Sequence, residues 1–346
     1  MKYFTRYAIA GFCILMLAGS SLVAQDLSSE LTRVGVANVR NYVNPLFDGF
    51  AADLNSGFYH SADLHDVLGF DIGVKVGLMR VSDAQKTFDF VTPAFINMKD
   101  PSNPALTVQL QAGTDYDAVI PGAPTAVGSK DANLYVKIKN NPAHPQYYSA
   151  YHALHSDDVL FQLPAGFDAP FVPLPMPQAA IGLPFGLEII GRFIPTVSAG
   201  NEGKFNYMGF GVRYSIDQWI PHCPLDIAVH FMTQKMNFKS KADADIFSAS
   251  GTAFGAEASK SLLFLTLYGG FQIEKASFSL SEIDGNITLP DGSVTALTIP
   301  AQSFTGSNKS RVTLGVRFLL AIVNIHADYS FATTPVATAG VGISFR

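Results

Sequence analysis

Apolar residues recur at every second position over long parts of the chain, and this alternation limits the fold more than any other feature. In segment 208–217, Met208, Phe210 and Val212 alternate with glycine and arginine. Successive side chains of a β-strand point to opposite faces, so the pattern predicts strands with one apolar face and one polar or glycine-rich face. The same pattern occurs in 68–79, 181–192, 225–234, 263–274, 311–318, 324–331 and 339–346.

The length of these segments and the scarcity of charge favour a membrane barrel over a soluble sandwich. The better segments span about 10–12 residues, similar to membrane strands of ~9–11 residues and longer than globular strands of roughly 5–6. Charged residues make up 15% of the chain, against roughly 25% in soluble domains. Aromatic residues recur near segment ends, as in the girdles of outer-membrane barrels. We therefore predict an all-β fold, an antiparallel transmembrane β-barrel; an exported soluble β-protein is the alternative.

The barrel is predicted over residues 54–346, with about 12 strands in a range of roughly 10–14. Residues 93–178 do not follow the alternation and are rich in proline. They are interpreted as one long loop or insert, either outside the membrane or folded into the mouth. The connection at 320–323 is nearly absent, as expected of a tight periplasmic turn, which places the C-terminus on the periplasmic side.

The N-terminal residues 1–24 have the order of a secretory signal peptide. Lys2 and Arg6 precede an apolar run, which small residues follow, and this is the usual succession of n-region, h-region and cleavage site. Cleavage after Ser21 is the alternative to cleavage after position 24. Residues 25–53 have partly helical spacing and are predicted to form a short helix and connector, a candidate plug beneath or inside the barrel.

An exported barrel is expected in the outer membrane of a Gram-negative bacterium, with outer-membrane lipid and the barrel-assembly machinery as partners. The net charge of −5 and the predicted export both argue against nucleic-acid binding. Cys13 lies in the predicted signal peptide, so Cys223 remains alone and forms neither an internal disulfide nor a cysteine-based metal site. No cofactor is predicted.

The polar faces of the predicted strands carry charged residues of both signs. This mixture suits an interior network of salt bridges more than a single-sign ion filter. The sequence is compatible both with charges that line a conduit and with charges that pair across the lumen and close it. The candidate lumen-lining residues are Asp71, Lys75, Glu188, Arg192, Arg213, Asp226, Glu274, Arg311, Arg317, His326 and Asp328. Trp219 follows segment 208–217 and is predicted to anchor the protein at the membrane interface.

Two clusters of chemically active residues favour a structural interpretation. His326, Asp328 and Ser330 share one strand face, where neighbours stand roughly 6.8 Å apart, too far for the hydrogen bonds of a nucleophilic triad. A polar row in the lumen is favoured, and no catalytic residue is predicted. A second cluster has side-chain types that hold transition metals, but loop histidines without a metal are more common, so no metal site is predicted. It comprises His144, His152, His155, Asp157 and Asp158.

Several stretches together resemble one family. They are "YVNPLFDGFAADLNSGFYHSADLHDVLGFDI", "APTAVGSK", "LPAGFDAP", "PMPQAAIGLPFGLEIIGRFIP", "GFGVRYSIDQWIP" and "AGVGISFR". The chain resembles a family of uncharacterised Gram-negative outer-membrane β-barrels, and more distantly the FadL-like fatty-acid porins and barrels tied to a secretion system. The FadL-like resemblance implies an N-terminal hatch that plugs the barrel and passive uptake of hydrophobic compounds. It transfers no functional residue to this sequence.

Three functions remain open at this point. The leading one is passive transport of a small hydrophobic or amphipathic solute through a partly plugged lumen. The alternative is a non-transporting barrel that anchors or shuttles envelope or secreted proteins, with residues 93–178 as its outer contact surface. A membrane-embedded lipid hydrolase built on His326 is third, since the chain is predicted not to be an enzyme.

Overall fold

The structure, a computed structural model, describes residues 37–143, 145–198, 203–240, 243–288, 292 and 294–345. The predicted signal peptide, residues 25–36 of the predicted connector, His144 and Arg346 lie outside this part of the chain. Neither helix of the described residues is long and apolar enough to cross a membrane.

Two helices and nineteen strands make up the described fold. The helices are α1 (Val39–Leu54) and α2 (Pro145–Leu154). The strands are β1 (Phe70–Arg80), β2 (Thr87–Val91), β3 (Phe95–Asp100), β4 (Asn103–Gln111), β5 (Val119–Pro124), β6 (Tyr135–Lys137), β7 (Val159–Gln162), β8 (Phe171–Leu183), β9 (Leu187–Ser198), β10 (Lys204–Ser215), β11 (Asp226–Lys239), β12 (Asp245–Leu262), β13 (Leu265–Leu280), β14 (Ile283–Thr288), β15 (Val294–Ile299), β16 (Gln302–Thr305), β17 (Ser310–Leu320), β18 (Val323–Phe331) and β19 (Val336–Phe345).

Ten strands close into one antiparallel barrel: β1, β8 to β13 and β17 to β19. β1 pairs with both β8 and β19, and β12 pairs with β13, so the wall has no free end. The short β16 extends the sheet beside β13. The predicted barrel is confirmed, but the wall has two strands fewer than the expected twelve. Strand-like sequence elsewhere forms two-stranded sheets of β2 with β5, β3 with β4, β6 with β7 and β14 with β15.

The predicted single strand 181–192 is in fact a hairpin. β8 ends at Leu183 and β9 begins at Leu187, with a turn between them in which Phe185 has a φ of 67°. Ile181 on one strand lies opposite Ile189 on the other, and both belong to the apolar face. Because the turn keeps the parity of the alternation, periodicity alone does not show where the chain reverses.

The expected insert 93–178 is also placed differently, because β8 begins at Phe171 and the insert spans 81–170. The prolines 173, 175 and 177 lie in β8, where it pairs with β1. In the described residues β8 pairs with β9 only over Gln178–Leu183, so the missing N–H donors lie along an edge that makes no ladder, where proline is tolerated. The insert has its own apolar core, which includes Phe90, Met98, Leu110, Tyr116, Tyr151 and Leu160.

The two ends of the barrel differ in the length of their connections. Phe70 at the start of β1 lies opposite Phe345 at the end of β19 and opposite Ile181. The tight turns 184–186, 263–264 and 321–322 lie at this same end, which we call the turn end. Connections 81–170 and 281–309 lie at the other, the loop end. Outer-membrane barrels have short periplasmic turns and longer extracellular loops.

The outer face of the wall is apolar and exposed, as predicted from the alternation. Exposed side chains on it include Met208, Phe210, Phe231, Phe254, Leu314 and Val341. Trp219 lies in the connection after β10 at the turn end, 71% exposed, and its Nε1 donates a hydrogen bond to the Tyr214 hydroxyl at 2.7 Å. Its position suits an interface anchor, because the indole has an apolar ring and one donor.

Candidate functional site in the plugged lumen

The lumen is filled by residues 37–69, which we call the plug. It consists of α1 followed by an irregular segment of turns and bends that runs to the start of β1. Helix α1 packs against β1, β8, β12 and β13, and Tyr42, Leu54 and Phe58 are fully buried. The barrel interior is therefore occupied from the loop end to the turn end.

At the loop end the plug and the wall form an apolar core. The ring of Phe47 stacks on Phe278 with centroids 5.0 Å apart and meets Phe304 edge-on at 5.1 Å. Inward side chains of β8, β9 and β11 complete the cluster with Leu174, Met176, Ile194 and Met236. Porin interiors are polar and water-filled, whereas this half of the lumen is lined by apolar side chains.

In the other half, charged wall residues hold the plug by its backbone. Arg192 donates hydrogen bonds to the carbonyl oxygens of Leu54 at 3.3 Å and Ser56 at 2.8 Å. Its Nε donates to the Gln178 side chain at 2.9 Å, and its guanidinium lies 4.7 Å from the centre of the Phe58 ring. Carbonyls in the last turn of a helix and in the irregular segment after it have no helix partners, and this arginine satisfies one of each kind.

A second cation is held between two carboxylates. Arg213 pairs with Glu188 and Glu257, each at 2.6 Å, and donates to the carbonyl oxygen of Ser61 in the plug. The plug's His65 contacts the other Glu188 oxygen through Nδ1 at 2.6 Å. On the far side, Nδ1 of His230 lies 2.5 Å from Glu257. The result is a buried charge network that joins four strands to the plug.

Two further cations contact plug carbonyls. Arg311 pairs with Glu274 at 2.7 Å and donates to the carbonyl oxygen of Ala52 at 2.7 Å. The Nζ of Lys75 donates to the carbonyl oxygen of Gly57 at 2.7 Å. Both cations are buried, and buried charges need partners because leaving water is costly.

One polar cluster places the plug's His60 against the wall. Its Nε2 lies 3.4 Å from Asp71, and its ring centre lies 4.6 Å from that of His326 on β18. Burial lowers the pKa of His60 to about 4, against a smaller opposing effect of Asp71. Asp71 also accepts hydrogen bonds from Asn324 at 2.7 Å and Ser344 at 2.9 Å.

The predicted lumen residues all lie on the inner side of the wall, and ten of the eleven are buried. Asp226 is the half-buried one, at the start of β11, where it accepts a hydrogen bond from Ser259 at 3.1 Å. Glu257 is not among the residues predicted from the sequence, because β12 was not recognised as a strand. No role was predicted for His60 and His65, which lie in the plug, where alternation gives no signal.

The structure does not bring His326, Asp328 and Ser330 together. Nδ1 of His326 contacts Asn324 at 3.1 Å, Asp328 accepts from the Tyr268 hydroxyl at 3.0 Å, and Ser330 contacts Thr313 at 2.9 Å. Each of the three thus has a different partner.

The second cluster is likewise divided. His152 pairs with Asp158 at 2.7 Å, and within the described residues no group of three or more His, Cys, Asp or Glu side chains is placed to hold a metal ion.

The profile of a family of unknown function, DUF6588, matches residues 1–345 of the chain. No curated protein matches. Among solved structures, Ail of Yersinia pestis, bound to the heparin analogue sucrose octasulfate, is 14% identical, with a TM-score of 0.25 over 46% of this chain and 95% of that chain. OmpT, an outer membrane protein of Vibrio cholerae, is 10% identical, with a TM-score of 0.24 over 80% and 98%. The Ralstonia pickettii toluene transporter TbuX is 8% identical, with a TM-score of 0.20 over 83% and 91%. Likenesses this low support no inference about function.

Proposed function

The chain belongs to DUF6588, a family of unknown function, and we propose that it is an outer-membrane β-barrel that passes a small hydrophobic or amphipathic solute when its plug moves. The solute crosses passively, and no bond chemistry is part of the proposal.

The distribution of side chains supports the membrane placement. Apolar residues face outward and charged residues face inward, which is the arrangement that a lipid-facing exterior requires. The wall closes on itself, and a closed sheet satisfies its backbone groups without water. The exception is the part of β8 before Gln178, which makes no ladder with β9. The short turns lie at the end of the barrel where β19 ends and where Trp219 is placed, as expected of a periplasmic side.

The single observation that carries the solute class is the apolar inner wall at the loop end. Leu174, Met176, Ile194, Met236 and Phe278 point into the lumen there and are covered by α1. If α1 moves, these side chains form an apolar mouth. Transfer of an apolar solute from water to such a surface is favourable. The surface has few polar groups that could bind ions or sugars.

The plug's lower segment is held by contacts that water can replace. Several are hydrogen bonds from charged side chains to neutral backbone carbonyls, as between Arg192 and Ser56. Each hydrogen bond to a charged group contributes about 1.5–3 kcal/mol to stability, because water can take the place of either partner when the bond breaks. Arg213 keeps its ion pair with Glu188 in the wall when the plug leaves.

A reversible cross-link tests whether plug movement controls passage. The hydroxyls of Ser61 in the plug and Ser259 in β12 lie 3.4 Å apart, so cysteines at these positions need only a small approach to form a disulfide. We propose S61C/S259C in a C223S background, expressed in Gram-negative cells exposed to the apolar dye N-phenyl-1-naphthylamine. Oxidation should reduce dye uptake to that of cells without the protein, and reduction should restore it.

The matched control is T313C/S330C, which joins β17 to β18 within the wall. Its hydroxyls lie 2.9 Å apart and directly opposite in register, and its disulfide joins no residue of the plug. Uptake through this variant should not respond to oxidation. Uptake that continues through the oxidised S61C/S259C protein would contradict plug control, and a native protein that adds no uptake would contradict transport.

A second candidate function is supported by the insert 81–170. It has its own core outside the barrel and exposes Phe95, Leu106 and Leu154. Where such side chains form a contiguous patch, they are typical of surfaces that contact other proteins. On this proposal the barrel anchors or shuttles an envelope or secreted protein. Cross-linking on cells should then capture a defined partner with the intact chain and lose it when the insert is removed.

A further inference from the structure

Several connections at the turn end carry large apolar side chains in a backbone conformation that favours glycine. Leu68 before β1, Phe185 between β8 and β9, and Leu263 between β12 and β13 have φ values of 69°, 67° and 57°. Bulky residues adopt this left-handed region at a cost in free energy, and tight hairpins normally place asparagine or glycine there. All three side chains are exposed, Leu263 to 97%, so packing within the described chain does not offset the cost.

Exposed apolar side chains lie all around this rim. Ile322 lies between β17 and β18, and Trp219 lies between β10 and β11. With Leu68, Phe185 and Leu263 they cover each of the five connections that the described residues form at the turn end. We call these five side chains the turn tips. A bilayer meets the whole rim of a barrel, whereas a protein docked at its side meets one sector.

The height of the apolar band places the edge of the bilayer beside the turn tips. On the outer face of β13, apolar residues and one glycine run from Leu265 to Ile273, and the exposed Lys275 follows. The ten residues from Leu265 to Lys275 correspond to about 25 Å along the axis of a barrel with tilted strands. The apolar band of outer-membrane barrels is also about 25 Å tall. Hydrocarbon that begins below Lys275 therefore extends to Leu265, next to the turn at 263–264.

The position of Lys260 agrees with this placement. It lies on the outer face of β12 opposite Leu267, inside the apolar band. Its Nζ donates a hydrogen bond to the carbonyl oxygen of Pro224, in the connection between β10 and β11. The ammonium is therefore directed toward the turn end. Lysines near the edge of a membrane extend their charge to the headgroups in this way.

We propose that the turn tips insert between the glycerophospholipids of the inner leaflet, and that the membrane holds the barrel by this rim. The inference rests on the membrane placement in the proposed function, in which the turn end is periplasmic. An apolar side chain on a short turn reaches the boundary between headgroups and acyl chains, where its removal from water is favourable. A tip in water would keep the cost of its left-handed backbone without any gain.

Tryptophan fluorescence in vesicles tests the proposal, because the chain has one tryptophan, Trp219, and it lies at this rim. The native protein, W219F/F185W and W219F/L263W are reconstituted in phosphatidylcholine that is brominated either near the headgroup or near the chain ends. Each tip should lose several-fold more emission to the bromines near the headgroup than to those near the chain ends. Acrylamide, which stays in water, should quench each tip only weakly.

Two control variants mark the depths on either side of the tips. W219F/F210W places the indole midway along the exposed outer face of β10 and should respond more to the bromines near the chain ends. W219F/L154W places it on the exposed surface of the insert and should respond to acrylamide alone. All variants should keep the heat-modifiable mobility of a folded barrel on gels, since each changes an exposed side chain.

Quenching of the tips by acrylamide alone, with W219F/F210W quenched by lipid, would overturn the proposal and leave the rim in water, free for a periplasmic protein to cover. A W219F/F210W protein that no bromine quenches would remove the membrane placement itself, and the inference with it. Dye uptake separates the inference from transport. Lipid-quenched tips in a native protein that adds no uptake would refute transport and leave the lipid contact standing.

Discussion

In the lumen, each buried charged side chain is stabilised by the groups that it contacts. Arg213 lies between Glu188 and Glu257. Removal of one partner of a buried ion pair typically costs about 3–5 kcal/mol, because the remaining charge stays buried. We expect R213M to lower the free energy of unfolding by that amount. The measurement is the urea concentration at which the barrel loses its heat-modifiable mobility on gels, and this concentration should be lower for R213M than for the native protein.

The control for this prediction is K204M. Lys204 pairs with Asp243 at 2.6 Å near the loop end, in a pair that is partly exposed to solvent. Exposed pairs contribute about 0–1 kcal/mol, so K204M should unfold nearly as the native protein does. Equal urea midpoints for the two variants would show that the lumen network does not stabilise the barrel.

The buried His60 leads us to predict that acid lowers the stability of the folded protein. It faces Asp71 and Lys75 of β1, Arg317 of β17 and His326 of β18. Burial lowers its pKa from 6.5 to about 4, so the unfolded chain binds a proton in this pH range that the folded chain does not. The free energy of unfolding should therefore fall as pH drops from 6.5 to 4, by up to about 3 kcal/mol at ~1.36 kcal/mol per pKa unit.

The measurement is the urea midpoint at several values between pH 7 and pH 4, for the native protein and for H60N. The asparagine does not titrate, so H60N should show a flatter dependence on pH. H152N changes an exposed histidine of the insert and should keep the native slope. A slope in H60N equal to that of the native protein would assign the acid sensitivity to other lumen groups.

At the scale of elements, the insert and the plug support each other at the loop end. Asn38 exchanges two hydrogen bonds with the backbone of Val91, both at 2.8 Å. The Tyr42 hydroxyl donates to Ala165 at 2.7 Å, and Ala126 donates from its backbone to the Tyr42 carbonyl at 2.9 Å. The insert thus covers the beginning of α1.

Replacement of residues 81–170 by an Asn-Gly turn should leave the barrel intact and loosen the plug. Arg80 and Phe171 lie directly opposite in register, so a two-residue turn can join β1 to β8. We expect a heat-modifiable barrel whose exposed Arg40 is cleaved faster by trypsin, as followed by mass spectrometry. Y42F, with the insert in place, should show a smaller increase. Native cleavage rates in the shortened chain would mean that the insert does not hold the plug.

The elements that the sequence predicted are those in which neighbouring residues carry the signal. β10 is one, since Met208 and Phe210 face outward and Arg213 inward, as the alternation indicated. β12 escaped because its outward positions carry small or polar residues, such as Ser250, Thr252 and Ala256, around a single Phe254. Without a run of large apolar side chains on one face, this strand lacks the contrast on which strand prediction depends.

At the scale of the whole molecule, closure and plugging depend on contacts between distant parts of the chain. A period of two shows that residues belong to a strand, but it does not show which strands pair with one another. The number of strands in the wall, ten rather than twelve, was therefore not predictable from periodicity alone. The charged residues were predicted to face inward. Their partners were not, because the hydrogen bond between Arg192 and Ser56 joins residues 136 positions apart.

The orientation of the whole barrel gives the last prediction, and a natural residue reports on it. Cys223 lies in the connection between β10 and β11 at the turn end and is half-buried. Leu154 lies in the insert at the loop end and is 67% exposed. If the turn end is periplasmic, a maleimide carried on a large polyethylene glycol should not reach Cys223 in intact cells. It should label L154C in a C223S background.

Permeabilisation of the outer membrane should then expose Cys223 to the reagent and leave the labelling of L154C unchanged. The two variants control for each other, because each carries one described cysteine and each is a positive signal in one condition. Labelling of Cys223 but not of L154C in intact cells would show that the barrel has the opposite orientation, with the turn end and not the loop end outside the cell. Equal labelling of both in intact cells would place the chain outside a sealed membrane. That result would remove the premise of the proposed transport, since transport requires lipid around the outer wall.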